Sequence, residues 1–189
     1  MVYWDNLGFE TAYTVDPEPE YPGDGDWRTP IVALFDQASG PIALISPVTA
    51  ESWLLSVSFA DNGAIYGTPD PNRICVLDRY GYAISIDVRS PDDRVQMDNH
   101  PVRVGASVKH RLLLIAGWAD LAAFGPDGSL VWRSEQLVPD DLKLRRTNGD
   151  VIVCRGADSS GTPGAVEVTV DTLTGRVIHS GPHRDMQLG

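Results

Sequence analysis

Apolar and polar residues alternate through 166–170, where Val166, Val168 and Val170 are interleaved with Glu167 and Thr169. A period of two predicts a strand with one buried face. The chain then turns at Thr174-Gly175 and resumes with Val177 and Ile178, so 166–179 reads as a β-hairpin. AFGPDGSLVW, residues 123–132, has the same form, two apolar strand ends around an Asp-Gly turn. IVALFDQASGPIALI, residues 31–45, is read as a third hairpin. Its Phe35-Asp36-Gln37-Ala38-Ser39-Gly40 follows the order of Val170-Asp171-Thr172-Leu173-Thr174-Gly175: apolar, Asp, two variable residues, hydroxyl, Gly. Trp53, Leu55, Val57 and Phe59 alternate with Ser56 and Ser58 and lead into Asp61-Asn62-Gly63, which predicts a strand and another turn. LLLIAGWADLAAF is broken by Gly117 and predicts two strands rather than a helix.

Each turn has a local explanation, because glycine adopts positive φ without a Cβ penalty and a preceding Asp, Ser or Thr bonds its own turn backbone. Their spacing adds more. The turn glycines Gly40, Gly81, Gly128 and Gly175 lie 41, 47 and 47 residues apart. RLLLIAGW before AFGPDG also corresponds to DVIVCRGA before VDTLTG, each an apolar strand ending in a glycine break. A period in the forties built of short strands is the sequence form of propeller blades.

The pattern apolar-Asp-x-x-[ST]-Gly, followed four residues later by an aromatic, resembles the repeat of quinoprotein-like β-propellers. Gly128 with Trp132 carries that glycine and tryptophan pairing. The resemblance implies that Trp132 docks neighbouring blades together. It covers residues 30–180, with Leu44, Ser85 and His179 at the tryptophan position of the other units and a shortened turn, LDRYG, at Gly81. No residues match that family's cofactor site, so no cofactor is expected. The fold expected is all-β: repeated antiparallel hairpins in about four blade-like units, or else a two-layer β-sandwich.

At 189 residues the chain suits one domain, 1–189, long enough to bury roughly 70% of its unfolded surface. The N-terminus MVYWDNLGFETAY lacks the basic start and apolar run of a secretory signal, which leads to a cytoplasmic expectation. No apolar run approaches the roughly 18 residues of a membrane span. Cys75 and Cys154 lie in the apolar stretches RICVLD and VIVCRG and are read as buried, reduced thiols.

Charge changes the functional picture. With 26 acidic and 15 basic residues the net charge is −11, which disfavours nucleic acid binding through phosphates and favours a basic protein as partner. Asp16, Glu18, Glu20, Asp24 and Asp26 concentrate among prolines and glycines in 14–28, read as an acidic loop or arm, with Trp27 at its end. Residues 180–189 read as a loose C-terminal tail.

Candidate chemistry is sparse. His179, His183 and Asp185 have a metal-like composition without a ligand spacing, and no metal is expected. There is no G-x-S-x-G elbow, and Ser159 or Ser160 would need partners assembled from afar. Asp92-Asp93 and Asp140-Asp141 suit turns better than acid-base work. Trp4, Tyr13, Tyr21 and Trp27 flank the acidic arm and suit either a binding platform or packing. The favoured reading is therefore a non-catalytic protein-binding module with an acidic surface, as an immunity protein or inhibitor of a basic toxin would have. The alternatives are an enzyme or small-ligand carrier with a site on the loops, and a structural subunit of a larger assembly.

Overall fold

In a computed structural model, residues 2–22, 28–34, 42–56, 64–77, 82–99 and 103–182 are described. Among them the protein is all-β, with strands and turns and no helix, and so no helix long and apolar enough to cross a membrane. The chain divides into two compact units, Met1–Asn99 and His100–Gly189.

The first unit holds two sheets. Sheet 1 is built from β1 (Tyr3–Asp5), β6 (Ala64–Gly67), β7 (Arg73–Leu77), β8 (Tyr82–Asp87) and β9 (Ser90–Asn99), in that order. Sheet 2 orders β2 (Tyr13–Asp16), β4 (Ile42–Pro47), β5 (Trp53–Ser56) and β3 (Ile31–Ala33) as β2-β4-β5-β3. The expected hairpin over 31–45 does not form: β3 lies parallel to β5, with Ile31 opposite Leu54. Strand β4 explains this. Its alternate residues Ala43 and Ile45 are fully buried, and both of its edges are taken, by β2 and by β5, so β3 is left the outer place. Tyr13, Ile45, Trp53, Leu55, Ile74 and Ile86 form the centre of a core shared by the two sheets.

The second unit is more regular. Sheet 3 orders β10 (Arg103–Ser107), β11 (Leu112–Ala116), β12 (Leu121–Phe124) and β13 (Leu130–Arg133) as they occur in the chain. Sheet 4 does the same with β14 (Asp140–Asn148), β15 (Val151–Ala157), β16 (Val166–Asp171) and β17 (Val177–Pro182). These two antiparallel meanders are blade-like repeats, each with a register shift on its third strand just before the last turn, at Ala123/Phe124 and at Thr169/Val170. Gly128 and Gly175 occupy those turns with φ of 76° and 69°. Strand β17 reaches Pro182, so residues 180–182 belong to a strand rather than to the expected tail.

Apolar runs here replace alternation. Every residue of β11 and β12 is buried, because the strands are covered on both faces, and the sequence shows this as LLLIA and LAAF. Leu114, Ala123, Trp132, Leu142, Ile152 and Val168 pack in the core that joins sheets 3 and 4.

Gly40 and Gly81 lie outside the described residues. The strand order still shows that their segments are not equivalent to the other two turns. Gly128 and Gly175 each link the third and fourth strands of a meander, whereas the segment holding Gly81 links β7 to β8 and that holding Gly40 links β3 to β4, which are not neighbours. The near-regular glycine spacing thus mixes different connections.

Candidate functional site

Tryptophan docking is the most developed geometry in each unit. On β13, Trp132 is 8% exposed and its Nε1 donates to the carbonyl of Thr172 at 2.9 Å, at the β16–β17 turn. A Cβ on Gly175 would collide with the Trp132 ring, so the glycine is required by close approach as well as by φ. The first unit repeats this arrangement. On β5, Trp53 is 4% exposed and its Nε1 donates to the carbonyl of Val88 at 2.8 Å, at the β8–β9 turn. Thr172 follows Asp171, and Val88 follows Asp87; both aspartates end the strand before the turn.

Trp53 was not recognisable from the turn glycines, and the positions expected to correspond to Trp132 in other units, Leu44, Ser85 and His179, do not perform this docking. The available signal was a tryptophan followed, some 35 to 40 residues on, by an apolar strand closing in Asp, as in ISID and VTVD.

The two aspartates organise their turns differently. Asp171 Oδ1 accepts from the hydroxyl of Thr174 at 2.7 Å, from its amide at 2.8 Å and from the amide of Leu173 at 3.1 Å. These bonds, led by the hydroxyl, hold its carboxyl below the usual range. Asp87 instead forms a two-pronged pair with Arg89, at 3.0 Å and 2.6 Å, and also accepts the Arg89 amide. The guanidinium bonds dominate in lowering its carboxyl.

Of the acidic arm, Asp16 is the last residue of β2, held by pairing with Leu44, so residues 14–16 are strand rather than arm. Its Oδ1 accepts the Glu18 amide at 3.0 Å, and Asp16, Glu18 and Glu20 are all exposed. Asp24, Asp26 and Trp27 lie outside the described residues. The net charge is unevenly distributed. Residues 1–99 contain 16 acidic and 5 basic residues, while residues 100–189 contain 10 of each. Cations of this unit are drawn into internal bonds: the mostly buried Arg73 bonds Ser85 and Asp93, and Arg89 bonds Asp87. Glu10, Glu51 and Asp92 are further exposed acids of this unit.

Other candidates are accounted for locally. Tyr13 is core, donating its hydroxyl to the Arg73 carbonyl at 3.1 Å, with its ring 5.9 Å from that of Trp4; Tyr21 is exposed. Ser160 donates to Asp158 at 2.6 Å within a turn that also includes Thr162. Asp93 holds Arg73, and Asp141 pairs with Lys143 at 2.7 Å. Cys75 and Cys154 are free and buried, and burial pushes both thiols up to about 12. His179 is exposed on β17, His183 and Asp185 lie outside the described residues, and among the described residues no three His, Cys, Asp or Glu side chains converge for a metal. His110 and Lys109 both contact Asp150 Oδ1 at 2.8 Å, and Lys109 is the larger influence lowering that carboxyl.

Two grooves mark the second unit. One, of about 400 Å³, runs between the exit of β13 and the β16–β17 turn and is lined by Arg133, Glu135, Gln136, Thr174 and Arg176 among others. The other, of about 250 Å³, lies between β10 and β14.

Compared with models of protein families and with curated proteins, the sequence matches none. Among solved structures, the chain is similar to the crystal structure of BamB from Moraxella catarrhalis, at 16% identity and a TM-score of 0.33. That similarity covers 79% of this chain, which spans 60% of the other.

Proposed function

We propose that this chain is a non-catalytic protein-binding module whose first unit recognises a basic protein, in the manner of an immunity protein or an inhibitor of a basic toxin. The observation that carries the reading is the confinement of the whole charge excess to residues 1–99, with 16 acidic residues against 5 basic. Opposite fields speed encounter and penalise wrong partners, and a charge gathered on one unit gives that field a direction. The exposed carboxylates of Glu10, Asp16, Glu18 and Glu20 are placed to contribute to it. Both thiols are buried, and the Ser160 hydroxyl is tied into a turn, which supports binding over nucleophilic chemistry.

The test is affinity capture from the native host with the tagged full chain, followed by stopped-flow association with the purified partner. The comparison variant neutralises Asp16, Glu18, Glu20, Asp24 and Asp26 to Asn and Gln. The expected result is a basic partner at stoichiometric yield, whose association slows in the variant and loses much of its salt dependence, because exposed charges act over about 8 Å at physiological ionic strength. An association rate indifferent to both salt and substitution would overturn the reading. A bound small molecule without a protein partner would point to the ligand-carrier alternative.

A further inference from the structure

The groove between β10 and β14 has an unusual wall. Along β14, Lys143 lies opposite Arg155 and Leu144 opposite Cys154, but the next pair is Arg146 with Val153. Arg145 is the extra residue of a β-bulge. Consecutive residues of a regular strand face opposite sides of the sheet, and an inserted residue resets that alternation. Here Arg145 and Arg146 are both exposed and both line the same groove, together with Thr147. Val104, Gly105 and Ala106 of β10 form the facing side. A Cβ on Gly105 would sit 3.2 Å from the Leu144 side chain, so glycine allows the two strands to approach closely there. Each strand is the outermost of its own sheet.

Among the described residues, neither guanidinium has a side-chain hydrogen bond or an ion pair. The acids on the same strand are occupied elsewhere: Asp141 pairs with Lys143, and Asp140 accepts the Asp141 amide. Two adjacent guanidiniums present planar forks of donors that match the oxygens of phosphate and carboxylate. A space of about 250 Å³ suits a small ligand. A long polyanion such as nucleic acid is opposed by the net charge of −11.

We infer that the β10–β14 groove binds a small polyanion of phosphate or carboxylate chemistry through Arg145 and Arg146. This site lies in the second unit and does not depend on the acidic unit's partner.

Isothermal titration of the full chain with pyrophosphate and with citrate, at fixed pH and ionic strength, tests the inference. At least one probe is expected to bind with a Kd below about 1 mM. The stronger of the two identifies phosphate or carboxylate as the preferred chemistry. Arg145→Gln and Arg146→Gln should each weaken binding about tenfold or more, and Arg146→Lys should recover little of the loss, since it restores charge without the fork. Arg176→Gln, at the other groove, should bind as the parent does. Thermal melts check that the variants are folded; these exposed positions should leave the midpoint unchanged. Absence of binding by either probe up to about 10 mM, or equal affinity in the parent and both Gln variants, would overturn the site. An equal loss in Arg176→Gln would also overturn it, by showing general charge attraction.

Discussion

The indole nitrogen of Trp132 and the carbonyl of Thr172, forty positions apart in sequence, meet at 2.9 Å, and the same bond joins Trp53 to Val88 at 2.8 Å. In each case one sheet presents a tryptophan to the backbone just past the strand-ending aspartate of the other sheet in its unit. The bond fixes the indole's orientation, while the ring provides the apolar area that joins the cores.

Trp132→Ala should destabilise the protein by about 3 to 5 kcal/mol, and Trp132→Phe by less, since it keeps a ring while leaving the Thr172 carbonyl unpaired. Urea melts followed by circular dichroism would measure both. A midpoint unchanged in the alanine variant would contradict the docking role.

Gly175→Ala should cost about 1 to 3 kcal/mol from the left-handed backbone alone, and displacement of the Trp132 ring adds to that. Gly161→Ala is the informative comparison. It shares positive φ, at 81°, but has open space around the new methyl, so its loss should be the smaller. Equal losses would show that ring contact contributes nothing.

Trp53→Ala should lower stability to a similar extent as Trp132→Ala, although its segment lacks the glycine-tryptophan pattern. Urea melts of Trp53→Ala would measure this, and an unchanged midpoint would contradict the docking role of Trp53.

Cys75 and Cys154 should resist alkylation at pH 8. With burial raising both thiols to about 12, only about one molecule in ten thousand carries the thiolate at that pH. Reaction should appear on unfolding in urea. Rapid labelling of the native protein would mean that one of these strands opens readily.

Acid should weaken the β16–β17 turn. The Thr174 hydroxyl and amide, with the Leu173 amide, depress the folded Asp171 carboxyl below its ordinary value of 3.8, so its stabilising effect is present above that pH. It is lost as pH falls from there through the folded value. The melting temperatures of the parent and of Asp171→Asn should therefore converge as pH drops below about 4. A gap that stays constant from pH 6 to pH 3 would remove the carboxylate from the account.

The sequence by itself determined the all-β class, the strands at 53–56, 112–116, 121–124 and 166–171, and the two hairpins around Gly128 and Gly175. Those features depend on local periodicity and turn chemistry, which act between near neighbours. It also showed Trp132 as an inward residue and both cysteines as buried. What it could not show was which strands pair over long distances. Residues 31–45 satisfied every local rule for a hairpin, yet β4 is enclosed by β2 and β5, and β3 is placed in parallel beside β5. Burial of Ala43 and Ile45 is a property of the whole sheet, and no turn signal encodes it. The same reason hid Trp53, the bulge at Arg145 that brings two arginines to one groove, and the division of the chain into two compact units at Asn99. Each depends on where distant strands come to rest, because packing decides which face of a residue meets a neighbour and which meets water.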